Sequence, residues 1–328
     1  MSGHTTKPVV ATIVFAMAAC AGASAQVTVG TSPWGPEDEL GKLNLITPQS
    51  RAAILSRASA ERVYDLSVEY YVGMPSWQAA GDPQYQLWMT HTPRGTKIDD
   101  PMHVGDDLNG HVSYTGSAFS MYSRTGTHID ALNHFGIAGR LYNGFAADEH
   151  LGDRGWTRTG AETIPPIVAR GVLLDVAAAR GVDMLRDNHR ILRADLEDAL
   201  RRQKVSLQQG DVVLIRTGRM QVYADTARYI ANPPGLGLDA ARFLVEESGA
   251  MILGADNLSF EAFPSEVEGN YVPLHTYLLA EHGVPIMELV YLEDLARDEV
   301  FEFAFIGASL KLRGADAAPM RPIALPVR

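Results

Sequence analysis

The chain has 328 residues, of which 46% are hydrophobic and 20% charged, and this composition is typical of a globular protein with a sizeable core. Its formal net charge of −11 disfavours nucleic acid as a partner. The single cysteine, Cys20, lies in the N-terminal segment. The rest of the chain therefore has no disulfide, no thiolate metal ligand and no cysteine nucleophile.

Residues 1–25 have the pattern of a secretory signal peptide. A lysine precedes an apolar run at residues 9–19, and small residues around Ala25 form a cleavage site. Because that run is too short to span a bilayer stably, we expect cleavage after Ala25 and no membrane span. Lipidation of Cys20 is a weaker alternative. Export without disulfides suits a periplasmic or secreted protein.

The segment that follows the predicted leader is rich in loops. A helix is predicted from Gln49 through Ala60 after a capping sequence, and an alternating, β-rich pattern predicts a strand from Val63 to Tyr71. Trp77 lies among prolines, where a tryptophan belongs to the core about as often as to the wall of a ligand site. Residues 88–119 are predicted to be loop, and we assign their histidines surface or loop-bracing roles.

The segment from Ser123 to Phe135 places two histidines and a carboxylate within seven residues. If it is extended near Thr127, His128 and Asp130 share one face, because side chains two residues apart point the same way. His134 can reach the same pocket as a third ligand or as a proton carrier. An isolated H-x-D pattern is more often part of a strand whose histidine forms hydrogen bonds within the core. Other motifs in the chain are therefore needed to distinguish a metal site from this alternative.

The second half alternates strand and helix patterns, which predicts a single α/β domain over residues 26–328, with mixed β-sheets and flanking helices. The predicted strands lie at residues 171–176, 210–218 and 250–254, and the predicted helices at residues 193–203 and 238–248, the latter ended by Gly249.

A second informative stretch lies near the C-terminus. His275 is predicted to begin a short helix that Gly283 ends, after which the chain extends from Val284 to Glu288. A histidine at a helix start and a glutamate at the end of an extended run can meet in one cleft.

The two stretches together resemble the cyclase-type metal-dependent hydrolases, a family that includes bacterial kynurenine formamidase and isatin hydrolase. The family pattern H-x-G-T-H-x-D-x-P-x-H aligns with Arg124 to His134, where five of the seven fixed positions match. The remaining matches follow in the same order and are Asp65-Leu66-Ser67, Met74-Pro75-x-Trp77, Arg170 to Asp175, Gly210 to Gly218, His275 to Glu288 and Arg321 to Ala324.

The resemblance implies a swivelling β/β/α-like fold and a homo-oligomer. It implies that His128 and Asp130 bind a metal ion, and that His275 and Glu288 complete that site. It also implies that His134 moves protons. In the same way, Trp77 is expected to flank a small-molecule substrate.

Two residues depart from the family pattern. Leu132 in place of proline is a mild change, whereas Arg124 replaces a histidine that is a metal ligand in the formamidases, and a guanidinium cannot bind a metal. If Arg124 points into the site, its charge disfavours a second ion, so we expect one ion of zinc or manganese. Alternatively, Arg124 binds a substrate carboxylate or a developing oxyanion, or forms a salt bridge in the vacant ligand position.

The predicted reaction is hydrolysis of an amide, a cyclic amide or imide, or a lactone. A bound metal ion would polarise the carbonyl and lower the pKa of water toward ~7, and His134 would carry the proton to the leaving group. The absence of a G-x-S-x-G pattern agrees with a reaction without a covalent intermediate. Two alternatives remain open: a catalytically impaired periplasmic protein that binds a small molecule on the same scaffold, and a metal-dependent lyase or cyclase.

Overall fold

A mixed β-sheet organises the protein in its computed structural model, which describes residues 28–77 and 80–328. The strands in those ranges are β1 (Tyr64–Asp65), β2 (Gln86–His91), β3 (Gly116–Ser120), β4 (His128–Asp130), β5 (Leu151–Gly152), β6 (Gly155–Trp156), β7 (Ile167–Asp175), β8 (Arg190–Ile191), β9 (Val212–Arg216), β10 (Gly235–Leu236), β11 (Ile252–Ala255), β12 (Ile286–Glu288), β13 (Glu302–Gly307), β14 (Ala317–Pro319) and β15 (Ile323–Pro326).

Short helices flank the sheet. Those in the same ranges are α1 (Pro48–Leu55), α2 (Pro93–Asp99), α3 (Asp106–His111), α4 (Ala147–His150), α5 (Val176–Ala179), α6 (Arg193–Gln203), α7 (Thr226–Ile230), α8 (Leu238–Arg242), α9 (Pro273–His275) and α10 (Glu293–Arg297). Helix α8 continues as a π-helical segment, Phe243–Glu247, and α9 continues as another, Thr276–Glu281.

Within the described ranges, nine strands form one sheet in the order β1-β15-β13-β7-β9-β11-β12-β4-β14. Strands β7, β9, β11 and β12 run parallel to one another, whereas β4 pairs antiparallel with both β12 and β14. Parallel strands covered on both faces carry continuous apolar runs, and all five residues of β9 are buried accordingly.

The core lies in two layers, one on each face of the sheet. Val213 and Ile215 of β9 belong to the layer that contains Leu196 of α6. Val212 of the same strand belongs to the opposite layer with Phe303 of β13. This division follows from the two-residue period of a strand. The same period determines which face of the sheet receives the polar side chains of β4.

The α/β fold with a mixed sheet and flanking helices is confirmed. The predicted helix at residues 193–203 is α6 with the same bounds, and the three strands predicted in the second half are β7, β9 and β11. The predicted helix at residues 238–248 is α8 with its π-helical continuation, and Gly249 after it has φ +72°, a conformation that suits glycine at a helix end.

The prediction of loop for residues 88–119 was wrong. Strands β2 and β3 pair antiparallel there, and α2 and α3 lie between them. The strand signal was missed because β2 is exposed at five of its six residues, so its sequence does not alternate between apolar and polar residues. Helix α2 begins after Thr92, whose side chain accepts a hydrogen bond from the Gly95 amide.

Three element bounds also differ from those predicted. Helix α1 begins at Pro48 and ends at Leu55, before Ala60. In the predicted strand at residues 63–71, only Tyr64–Asp65 pairs in the sheet, because Asp65 accepts hydrogen bonds from the backbone and hydroxyl of Ser67 and turns the chain. The helix that contains His275 begins two residues earlier, at Pro273.

The predicted signal peptide, with its cleavage site after Ala25, lies outside the described residues. In residues 28–77 and 80–328, no helix is both long enough and apolar enough to cross a bilayer.

Candidate metal centre

Strand β4 places His128 and Asp130 on one face of the sheet. The residue between them, Ile129, packs in the apolar layer on the other face, so both polar side chains point to the side that carries α9. Both are fully buried. As predicted, His128 and Asp130 lie on the same face of the strand.

The pairing of β12 with β4 brings the second carboxylate into place. Glu288 is the Cα partner of His128 in this antiparallel pair, and Ile286 is the partner of Asp130. On the other side of β4 the partners are Pro319 and Ala317, which carry no charge. Glu288 is therefore the acidic neighbour that His128 receives from the sheet.

The residues just before β4 fix its position. Gly126 has φ +69°, and a Cβ there would lie 2.5 Å from Cζ of Tyr70, so the site needs glycine at this position. The Thr127 hydroxyl donates to the Leu289 carbonyl at 2.6 Å and accepts from the Val68 amide at 2.9 Å. The first bond ties β4 to the residue that follows Glu288, and the second ties it to the segment that follows β1.

Five potential ligand side chains converge at this point. Nε2 of His128 lies 3.6 Å from Asp130 Oδ1 and 3.5 Å from Glu288 Oε2. Nε2 of His275 lies 3.6 Å from Glu288 Oε1, and Nε2 of His134 lies 3.9 Å from Asp130 Oδ2. Two donors that each lie about 2.0–2.2 Å from one ion are separated by at most roughly 4 Å, so these spacings suit a shared cation.

The hydrogen bonds around the cluster leave metal-binding lone pairs free. Nδ1 of His128 donates to the Gly126 carbonyl at 2.8 Å, which leaves Nε2 unprotonated in the neutral ring. That Nε2 and both carboxylate oxygens of Asp130 are buried without a hydrogen-bond partner. Buried polar atoms without partners are costly, and a divalent cation would satisfy these three, so the residues present fit a metal ion.

A carboxylate that the sequence did not indicate supports His275. Glu261 is 1% exposed, and its Oε1 accepts a hydrogen bond from His275 Nδ1 at 2.6 Å. This bond directs Nε2 of His275 toward Glu288, as the carboxylate partner of a metal-binding histidine does. In the sequence, Glu261 is only an acidic residue in a polar segment shortly after β11. Such residues are too common for this one to be selected as a partner of His275.

The electrostatics of the cluster follow from its burial. Burial raises the pKa of Asp130 well above its usual value, and the nearby Glu288 adds to this effect. Burial lowers the pKa of His128. It also lowers the pKa of His275, but hydrogen bonds to Glu261 and Glu288 outweigh it, and the pKa is raised to about 10. The shifts favour the protonated forms of Asp130 and His275 and the neutral ring of His128.

Arg124 lies beside the cluster and contacts His134. Its Nη1 is 2.5 Å from His134 Nδ1 and 2.5 Å from Asp316 Oδ2, while Asp316 Oδ2 is 3.6 Å from His134 Nδ1. Because a guanidinium only donates, this contact favours the His134 tautomer with its hydrogen on Nε2. Burial, with a further contribution from Arg124, lowers the pKa of His134 to about 3.

Asp316 anchors Arg124 from the other side of the site. It accepts from Nη1 of Arg124 and also from the Ser123 hydroxyl at 3.0 Å. Burial opposes its ionisation, but His134, Arg124 and Ser123 together hold its pKa well below the usual value. No pattern around Asp316 in the sequence marked it, because the pairing depends on two segments that are far apart in the chain.

A cavity of about 420 Å³ opens onto the cluster. His134, His275 and Glu288 line its base, and Arg124 and Asp82 are its other charged residues. Its aromatic wall consists of Trp77, Tyr122, Phe135, Phe263 and Tyr271. A concave, largely aromatic cavity of this size with a few convergent polar groups is typical of a small-molecule site.

The structure therefore brings all seven residues selected from the sequence to one place. Ligand atoms of Asp130, His134 and His275 all lie within 4.8 Å of one another. His128 and Glu288 join this group through the pair distances given above. Trp77 and Arg124 line the cavity above it.

Comparison with known proteins finds one matching family model, a related sequence and similar folds. A family model described as putative cyclase matches residues 64–262. Cyclase-like protein 3 of Oryza sativa subsp. japonica is 24% identical over 262 residues, which cover 80% of this chain and 79% of that protein. A crystal structure of a novel cyclase is 27% identical, with a TM-score of 0.79, and the match covers 91% of this chain and all of that one. Isatin hydrolase A of Ralstonia solanacearum is 22% identical, with a TM-score of 0.60, over 81% of this chain and 92% of that one.

Proposed function

The chain belongs to the putative cyclase family, and from this premise we propose that it is a metal-dependent hydrolase that opens an amide, a cyclic amide or imide, or a lactone. The observation that carries the proposal is the convergence of His128, Asp130, His275 and Glu288 at the base of an aromatic cavity. The isatin hydrolases, which share this fold, make a cyclic amide the first substrate to test.

In the proposed reaction, those four residues hold one divalent ion, zinc or manganese, since their nitrogen and oxygen donors suit both. Such an ion supplies Lewis-acid activation of the carbonyl and of water. Trp77 and Phe135 in the cavity wall hold an aromatic or cyclic substrate and exclude bulk water.

His134 acts as the proton carrier in this proposal, and Arg124 controls it. To take a proton at Nε2, His134 needs its hydrogen on Nδ1, the atom that Arg124 contacts. An anionic group of the substrate, or the oxyanion that develops on its carbonyl, draws Arg124 toward the cavity. With Arg124 withdrawn, the ring loses its Nε2 hydrogen to solvent and gains one on Nδ1, and this Nδ1–H donates to Asp316. Nε2 then takes the water proton and returns it to the leaving nitrogen or oxygen.

A second candidate function follows from the same contact. If Arg124 stays on Nδ1 of His134, the ring has no free lone pair at Nε2 and cannot act as a base. The protein would then bind a small molecule without turning it over. Export to the periplasm or outside the cell, proposed from residues 1–25, suits either function.

The test is a screen of cyclic amides, imides, lactones and N-acyl amines with purified protein, together with metal analysis. We expect turnover that a chelator removes and that zinc or manganese restores. His128→Ala and Asp130→Ala should lose both metal and turnover, whereas His111→Ala, an exposed histidine, should keep both. Tight ligand binding without turnover after metal loading would favour the binding protein, and unchanged hydrolysis in both site variants would refute the proposed metal centre.

A further inference from the structure

Asp82 is a carboxylate in the wall of the site cavity that the proposed reaction does not use. Its side chain is half-buried, yet it has no hydrogen bond and no ion pair with any described residue. Outside the ligand cluster, the other charged residue of the wall is Arg124. Because carboxylates that leave bulk water are normally paired with a cation or with hydrogen-bond donors, Asp82 is an acceptor without a partner.

Arg124 has unused donors at the same cavity. Its Nη1 makes both of its polar side-chain contacts, with His134 and with Asp316. The N–H groups on Nε and Nη2 have no partner among the described residues. Since a guanidinium pairs with a carboxylate most favourably through two parallel N–H bonds, Arg124 can accommodate a second carboxylate or exchange one for the other.

The charges of three side chains act on one another at this cavity. Burial raises the pKa of Asp82, Arg124 opposes that rise, and Asp316 adds to it. In this structure Arg124 forms its ion pair with Asp316. One cation is thus within electrostatic reach of two carboxylates, and it pairs with one of them.

Tyr122 provides a surface on which the guanidinium can turn. Cζ of Arg124 lies 4.5 Å from the centre of the Tyr122 ring, and Tyr122 also lines the cavity. Attraction between a cation and an aromatic face requires the cation within about 6 Å of the ring centre, but it does not fix the direction of the N–H groups. The side chain can therefore change its carboxylate partner and keep this contact.

We propose that Asp82 is a positioning residue that takes the guanidinium of Arg124 when it leaves His134. This inference rests on the proposed function, in which Arg124 withdraws from Nδ1 of His134 before the ring acts as a base. When Asp316 is its partner, Arg124 blocks Nδ1 of His134. When Asp82 is its partner, Nδ1 is free, and the remaining N–H groups of Arg124 face the cavity in which the oxyanion develops.

The exchange is nearly balanced because both partners of Arg124 are carboxylates. The contact that is lost with one is replaced by a contact of the same kind with the other. Asp316 keeps two neighbouring donors when Arg124 leaves, namely the Ser123 hydroxyl at 3.0 Å and Nδ1 of His134 at 3.6 Å. Asp82 thus supplies the acceptor that stabilises Arg124 away from the imidazole ring.

The first test does not use turnover. It is carboxyl carbon-13 NMR of protein labelled at aspartate, with the Asp82 signal assigned as the one that Asp82→Asn removes. In Asp316→Asn, Arg124 loses its present partner and should pair with Asp82, which lowers the measured pKa of Asp82 by about one pH unit or more. This lowering should be absent from the double variant Asp316→Asn/Arg124→Gln. If it persists there, or if Asp316→Asn leaves the pKa of Asp82 unchanged, the proposal is wrong.

The second test is kinetic and uses the best cyclic amide from the screen described above. Asp82→Asn should lower kcat about tenfold or more, because the state in which Nδ1 of His134 is free loses its stabilising charge. Asp82→Glu keeps the carboxylate and should recover most of kcat. The matched control is Asp153→Asn, which changes an exposed aspartate in the turn between β5 and β6 and should leave kcat unchanged.

A double-mutant cycle separates an action through Arg124 from a direct one. In the Arg124→Gln protein, Asp82→Asn should change kcat by less than about twofold, since the partner of Asp82 is already gone. The same tenfold loss with and without Arg124 would overturn the proposal. If the unchanged protein hydrolyses none of the compounds, the proposed hydrolase function fails, and the NMR titration still decides whether Asp82 is the second partner of Arg124. Circular dichroism and metal content establish that each variant is folded and holds its metal.

Discussion

Glu288 lies directly opposite His128 in the antiparallel pair of β12 and β4, with Glu288 Oε2 3.5 Å from His128 Nε2. The same carboxylate reaches His275 through its other oxygen, at 3.6 Å. One glutamate thus joins the histidine of a strand to the histidine of a helix. The position of the candidate metal centre is set by this register and by the packing of α9 on the sheet.

Glu261→Gln is expected to weaken metal binding by about 10- to 100-fold, because the charged acceptor that orients His275 is lost. The measurement is the dissociation constant for zinc from competition with a chromophoric chelator. Glu246→Gln is the matched control: Glu246 also accepts a hydrogen bond, from Tyr277 on the continuation of α9, but lies away from the cluster. Equal affinities in the two variants would refute the role of Glu261.

Metal binding is expected to release protons. The pKa of His275 is raised to about 10, so the free protein holds this ring as imidazolium at neutral pH. A metal ligand must be a neutral imidazole, so the apparent metal affinity should rise with pH from 6 to 8, up to about tenfold per unit for each proton displaced. Calorimetry in buffers of different ionisation enthalpy counts the protons. Affinity that is flat over this interval would contradict the prediction.

Arg124→Gln is expected to raise KM about tenfold or more, because a charge-assisted hydrogen bond to the substrate is lost. The bound metal should remain, since Arg124 is not a ligand. Removal of its charge should also raise the pKa of His134, because Arg124 contributes to lowering it, and the acid limb of the rate profile should move to higher pH.

The matched control for this change is Arg140→Gln, an exposed arginine that donates to the Gly144 carbonyl. It should leave KM, metal content and the rate profile unchanged. If Arg124→Gln lowers kcat without any effect on KM, Arg124 does not bind the substrate in its ground state, and its contact is with the developing oxyanion. If both kcat and KM are unchanged, its contact with His134 is structural.

Gly126→Ala is expected to destabilise the protein by about 2–4 kcal/mol, since it combines an unfavourable φ of +69° with a clash on the Tyr70 ring. Gly139→Ala is the control, because Gly139 has φ +74° but no atom within 4 Å of the added Cβ. Its cost should be about 1–2 kcal/mol, the backbone contribution alone. Urea unfolding of both variants measures the difference, and equal losses would exclude the contact with Tyr70 as a cause.

The sequence by itself determined the features that depend on neighbours along the chain. The H-x-D spacing placed His128 and Asp130 on one face because a strand has a two-residue period. Amphipathic periodicity gave the bounds of α6. The apolar runs at residues 171–176 and 210–218 indicated the strands that the structure has as β7 and β9. Each of these inferences needs only a few consecutive residues.

The tertiary structure decided what depends on contacts between distant segments. Glu261 and Asp316 lie 14 and 192 residues from the side chains that they hold, His275 and Arg124, and no local pattern selects them among the other acidic residues. Strands β2 and β3 were missed for a related reason: they are largely exposed, so they lack the alternation of apolar and polar residues by which a strand is recognised. Strand register and burial, which are properties of the whole fold, turn an H-x-D pattern into half of a candidate metal site.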